Sequence, residues 1–186
     1  MDTIFPTTEY VRDLENVLAY YRYLHWAKYE YLSFPWLLMT ALTVVAIIVW
    51  LRLVDKQRTL EILLYGSWIA ITGVTLDEFG YEYRLWRYNY HLIAQFPHIL
   101  WVHLFILPII YMLIYQYCPG WKRFLKIMTV CAAGLAFVGE PLLVKLDYYE
   151  LLKWNYFYSF PLYILLGIVF KAIIARLKTR QQTAGT

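Results

Sequence analysis

Asp77, His103 and Glu140 are ionisable residues set in or beside apolar runs, and their spacing decides what they face. A charged group within hydrocarbon is costly unless it faces a partner or a polar cavity. Gly66, Ala70, Gly73, Asp77 and Gly80 follow one another at steps of four, three, four and three, so they share one helical face. Ala132, Ala136 and Glu140 repeat the arrangement at steps of four, and Pro141 then withholds a backbone donor from the same turn. Small residues on one face admit a neighbouring helix, so both carboxylates point into a bundle and not at lipid. Glu140 lies four residues before Val144, and His103 four residues into the preceding apolar run, so both lie ~6 Å under one edge. Asp77, Glu78 and His98 fall at that edge. With Trp101 and Tyr111 on an irregular, proline-containing helix, the candidate ligand-binding residues are Asp77, Glu78, His98, Trp101, His103, Tyr111 and Glu140. The opposite half of the bundle is expected to hold almost no ionisable group.

Two neighbouring carboxylates in apolar surroundings titrate apart, one held protonated, and a histidine within reach can move protons. General acid–base chemistry is therefore open to this layer. A metal is not expected. His98 and His103 are five residues apart, about 140° around a helix, and no His-x-x-x-His or Glu-x-x-His pair occurs. No cofactor is expected, since nucleophile elbows and Gly-rich phosphate loops are missing. The same side chains can equally satisfy one another, or tyrosine hydroxyls, and simply fix helix register.

These residues must be positioned by membrane-spanning helices. Of 186 residues, 61% are hydrophobic and 16% charged, well short of the quarter usual in soluble chains. Aromatics reach 20%, with 19 Tyr and 8 Trp, side chains that favour the membrane–water interface. Apolar segments at about 34–51, 60–76, 99–117, 124–144 and 160–174 are near the ~20 residues needed to span. Lys171 and Arg176 are expected to snorkel from the last. The fold class is thus all-α, an integral membrane bundle of five transmembrane helices over 34–178. An amphipathic interfacial helix over 1–33 precedes it, and a disordered cytoplasmic tail over 179–186 follows.

Thr7 or Thr8 can cap the N-terminal helix, and Val11, Leu14, Leu18 and Tyr21 give it an apolar stripe. The stripe suits the outer membrane surface or a partner protein. Arg52, Lys56 and Arg58, then Lys122, Arg123 and Lys126, then Lys171, Arg176, Lys178 and Arg180 fall on one side. The seven remaining cations are diluted among acidic residues over longer segments. The positive-inside rule then puts the N-terminus outside and the C-terminus in the cytoplasm of a multi-pass cell-membrane protein. Met1 to Pro6 shows neither basic nor apolar signal-peptide character, so no cleaved leader is expected. Cys118 and Cys131, both toward the cytoplasm, read as packing residues and not as a disulfide. No basic face or reader motif points to nucleic acid, and no internal repeat suggests a transporter.

The outer loops 81–91 and 147–158 are aromatic and charged without helical period, and are expected to cap the polar layer. Arg84, Arg87, Lys145 and Lys153 among those rings fit either a lipid phosphate or an ordinary aromatic belt.

Over about Leu60 to Phe170 the chain resembles a family of small multi-pass membrane proteins of endospore-forming Gram-positive bacteria. The resemblance rests on Asp77 and Gly80, Trp86-Arg87-Tyr88, Pro97 and Trp101, and Pro108-Ile109-Ile110-Tyr111. It continues through Tyr115-Gln116-Tyr117-Cys118-Pro119-Gly120-Trp121-Lys122, Glu140-Pro141, Trp154 and Tyr158 to Tyr163. It implies a bacterial membrane location and brings no activity with it. The function expected from the residues is binding of a lipid or other amphiphile in an outer-half pocket, within a lipid bilayer. A small enzyme acting on a lipid or isoprenoid through the carboxylate pair also fits, as does a structural or assembly subunit packed on a membrane-protein partner.

Overall fold

The computed structural model describes residues 5–96 and 99–184. Helix α1 (Thr8–His25) begins where Thr7 Oγ1 accepts from the Tyr10 amide, with Glu9 at the positive end of its dipole. A π-helical turn, Trp26–Glu30, and a left-handed Leu32 redirect the chain into α2 (Phe34–Leu53). Ser33 caps α2 and Pro35 occupies its first turn, where a missing N–H costs least. Helix α3 (Thr59–Glu82) follows after a short loop, and strand β1 (Trp86–Tyr88) after it. A π-helical stretch, Trp101–Ile106, leads into α4 (Leu107–Tyr117). Helix α5 (Trp121–Gly134) runs through another π turn, Leu135–Gly139, into α6 (Glu140–Lys145). Strand β2 (Tyr149–Leu151) and the long α7 (Tyr156–Ala184) complete the chain.

Both of these later π turns stop just before a proline. Pro108 and Pro141 thereby fall in the first turn of α4 and of α6, and the wider turns accommodate what a continuous α-helix would not.

The described residues are all-helical apart from one small sheet and the connecting turns. Among the described residues, four helical stretches are long and apolar enough to cross a bilayer: Phe34–Leu53, Thr59–Glu82, Trp121–Lys145 and Tyr156–Gln181. Trp101–Tyr117 is apolar but shorter. It still runs the length of the bundle, with His103 at one end beside Asp77 and Tyr115 at the other beside Glu61. The expected face of α3 is buried: Gly66, Ala70, Gly73, Asp77 and Gly80 all lie inside, together with Ile62, Tyr65 and Ile69. Ala132, Ala136 and Glu140 are buried likewise. The main core joins α3, α4, α5 and α7 around Tyr65, Tyr111, Phe124 and Met128, and a second cluster around Trp101, Tyr88 and Tyr148 lies toward the sheet.

Three expectations change. The outer loops are not irregular: Trp86, Arg87 and Tyr88 pair antiparallel with Leu151, Glu150 and Tyr149. Each strand is entered the same way, because α3 and α6 both end with a left-handed residue, Arg84 or Asp147. The following amide bonds five residues back, Leu85 to Gly80 and Tyr148 to Leu143. The stretch from Thr179 expected to be disordered is helical to Ala184, residues 185–186 lying outside the described range. Nor is the far end of the bundle free of ionisable groups. Arg58, Glu61, Lys171 and Lys178 meet there, and Lys171 does not snorkel but is 5% exposed.

Candidate functional site

At the sheet end of the bundle, α3, the π stretch before α4, α6, α7 and the two strands line a partly open cavity of about 110 Å³. That is room for a few waters or for a slim part of a larger molecule. Its wall is mostly apolar, with Leu76, Ile99, Val102, Leu107 and Leu162 among the lining residues.

Asp77 enters from the last turns of α3, 1% exposed. Its Oδ1 accepts from Trp86 Nε1 at 2.9 Å and from the Tyr88 hydroxyl at 2.5 Å. Period-two alternation explains this pair of donors: Trp86 and Tyr88 point inward from β1, while Arg87 between them points outward to Glu150. Burial, and then the Asp77 carboxylate, hold the Tyr88 hydroxyl well above its ordinary pKa, so it stays a donor. Gly80, one turn beyond Asp77, leaves the room that the Trp86 ring fills; a Cβ there would lie 1.9 Å from Trp86 Cζ2.

His103 reaches the cavity from the π stretch, with Nε2 3.6 Å from Asp77 Oδ1. Its Nδ1 is buried and makes no hydrogen bond to a described residue. Glu140 opens α6, 8% exposed, and its Oε1 accepts from the Tyr163 hydroxyl at 2.8 Å. Glu140 Oε2 is also buried and makes no hydrogen bond within 3.5 Å to a described residue. Ser159 lines the same wall, its Oγ accepting from Trp154 Nε1 at 2.9 Å. Trp154 in turn packs edge-on against Trp86, with ring centroids 5.2 Å apart. Tyr149 stacks on Tyr88 at 5.5 Å and closes the side beneath the sheet.

Of the candidate residues, Asp77, His103 and Glu140 line this one cavity. Glu78 is exposed and does not line it. Trp101 is fully buried elsewhere, its Nε1 donating to Thr40 Oγ1 at 3.1 Å between α2 and the π stretch. Tyr111 is likewise core, its hydroxyl donating to the Tyr163 carbonyl at 2.7 Å. Pro97 and His98 lie outside the described residues. Trp86, Tyr88, Tyr149, Trp154, Ser159 and Tyr163 also line it and were not among the candidates. The alternation of Trp86 and Tyr88 about Arg87 was the available signal for two of them.

The two carboxylates are not equivalent. Asp77 is fixed by two ring donors, whereas one Glu140 oxygen makes no hydrogen bond within 3.5 Å to a described residue, although the Ser159 hydroxyl is near enough to interact with the carboxylate. The arrangement can hold a polar group of a ligand between Glu140 and His103 while apolar walls take its remainder. Among the described residues no three His, Cys, Asp or Glu side chains group as metal ligands would. The chain matches no known family, no curated protein and no solved structure.

Proposed function

We propose that this chain is a five-span membrane protein that binds a lipid or similar amphiphile in its outer-half cavity. The N-terminus lies outside and α1 rests on the outer surface. Glu140 and His103 receive the ligand's polar group, and Asp77 anchors the sheet that covers it. The observation that carries the reading is the pair of buried atoms, Glu140 Oε2 and His103 Nδ1, that belong to residues lining a mostly apolar cavity and make no hydrogen bond within 3.5 Å to the described chain. A buried polar atom left so costs free energy, and a ligand carrying both a donor and an acceptor removes that cost.

Supporting the topology, Arg58, Trp121 and Lys178 meet at one end of the bundle, so the three cation-rich segments lie together as the positive-inside rule asks. The stretch Trp101–Tyr117, at ~26 Å, serves as the remaining span. Helix α1 buries no residue, yet Val11, Leu14, Val17 and Leu18 are apolar and exposed, which suits residence in the headgroup layer.

Native mass spectrometry of the full chain released from detergent tests the binding. A retained lipid-sized adduct is expected, and Glu140→Gln should weaken it while the protein stays folded. A lipid profile unchanged by Glu140→Gln, with a lowered melting temperature, would show that the carboxyl only fixes helix packing.

A further inference from the structure

The opposite end of the bundle carries a second, independent site. Glu61 and Asp77 are ~24 Å apart along α3, so this site shares nothing with the outer cavity. Lys171, on α7, is 5% exposed, and its Nζ donates to the Cys118 carbonyl at 2.6 Å. Three rings surround the ammonium, Phe124 with its centroid at 4.1 Å and Tyr115 and Trp121 at 5.5 Å each. The rings and one carbonyl satisfy part of a buried cation, but no carboxylate among the described residues pairs with it. The acid beside it, Glu61, is already taken. It accepts from Arg58 at 3.1 Å and Lys178 at 2.9 Å, and from the Tyr115 hydroxyl. Arg58, Lys171 and Lys178 therefore face one carboxylate, leaving a surplus of two positive charges around a cavity of about 180 Å³. Half-exposed Lys178, with exposed Pro119 and Trp121 in the lining, leaves that cavity open at the surface of the bundle.

We propose that this inner pocket binds a phosphate group. Arg58 supplies a planar fork of donors, Lys171 a compact charge in a dry aromatic cage, and Lys178 a mobile outer cation. A phosphate fits the surplus charge and the volume, and it takes up the Lys171 donors that Cys118 leaves unused. Two sources present this chemistry at such a place, the headgroup of an anionic lipid and free phosphate from the aqueous side.

Thermal unfolding of the full chain in a neutral detergent distinguishes them. Dioleoyl phosphatidylglycerol, inorganic phosphate at matched ionic strength and dioleoyl phosphatidylcholine are added separately. A rise in Tm with phosphatidylglycerol alone assigns a lipid headgroup; a rise with inorganic phosphate assigns the free anion. In either case Arg58→Gln and Lys178→Gln, both at partly exposed positions, should weaken the apparent affinity about ten-fold each. Lys171→Met should abolish the rise. Where Lys171→Met does not fold, the Arg58 and Lys178 variants decide the matter. Lys126→Gln, an exposed cation outside the pocket, should bind as the parent does. The proposal is overturned if neither anionic probe raises Tm. It is equally overturned if the two pocket variants bind as the parent does, or if Lys126→Gln weakens binding as much as they do.

Discussion

The Tyr88 hydroxyl donates to Asp77 Oδ1 at 2.5 Å, joining a strand to the buried face of a helix. Asp77 and Tyr88 are both buried, so this bond fastens the small sheet over the end of the bundle. Tyr88→Phe keeps the ring and its stacking on Tyr149 but removes a hydrogen bond to a carboxylate. The expected loss is about 1.5–3 kcal/mol in thermal or denaturant unfolding, the usual range for a bond to a charged group. A loss well under that would mean that Trp86 Nε1 alone fixes Asp77.

Gly80 and Gly66 lie on the same face of α3 and should respond differently to Ala. A Cβ at Gly80 would lie 1.9 Å from Trp86 Cζ2 and 2.1 Å from Cη2, a rigid ring pinned by its bond to Asp77. A Cβ at Gly66 would lie 2.4 Å from Met112 Sδ, the far part of a flexible chain. Gly80→Ala should therefore cost about 1–3 kcal/mol or more, and should shift indole fluorescence as the ring is displaced. Gly66→Ala should cost less than Gly80→Ala in the same assay. Equal losses would show that Met112 is held as tightly as Trp86.

The helices were legible because each carries its own signal: apolar length at about 34–51 and 60–76, within the helices at 34–53 and 59–82, and small residues at steps of three and four leading to Asp77 and Glu140. That Asp77, His103 and Glu140 lie at one level followed from their depth along successive spans. What pairs across distance was not legible. Strands β1 and β2 are three residues each, and each exists only because the other, about 60 residues away, supplies its hydrogen bonds. Lys171 looked like a snorkelling cation because nothing near it in sequence announces the cage. Tyr115, Trp121 and Phe124 reach it from α4 and α5. Trp101 and Tyr111 looked available for a ligand but found protein partners, Thr40 and the Tyr163 carbonyl, on other helices.

Arg87 and Glu150 face each other across the strands at 2.6 Å, yet their side chains are 59% and 43% exposed. Solvent screens such a pair, so a double-mutant cycle of Arg87→Ala and Glu150→Ala should give a coupling below about 1 kcal/mol. Arg87 is thereby the opposite of its neighbours Trp86 and Tyr88, whose inward bonds are shielded. A coupling as large as the loss in Tyr88→Phe would place the sheet in a drier setting than its exposure indicates.

Glu30 ties the turn after α1 to the chain beyond β1. Its carboxylate accepts from the His91 amide at 2.7 Å and pairs with His91 Nδ1 at 2.8 Å and His25 Nδ1 at 3.0 Å. Burial alone would raise its pKa, but the hydrogen bonds and charge of His91, aided by His25, outweigh burial and hold the carboxyl below its ordinary value. A carboxyl depressed in the folded state stabilises it fully above the ordinary carboxylate range. That stability is lost as pH falls through the range and is gone below the depressed folded value. The Tm difference between the parent and Glu30→Gln should therefore be larger just above the ordinary carboxylate range than below it, and should shrink as the solution is acidified through that range. Over the same interval the His91 amide, whose acceptor is being protonated, should lose protection from hydrogen exchange once intrinsic rates are corrected for. A Tm difference that stays constant with pH would mean that Glu30 holds the turn by packing and hydrogen-bond geometry, without a contribution from its charge.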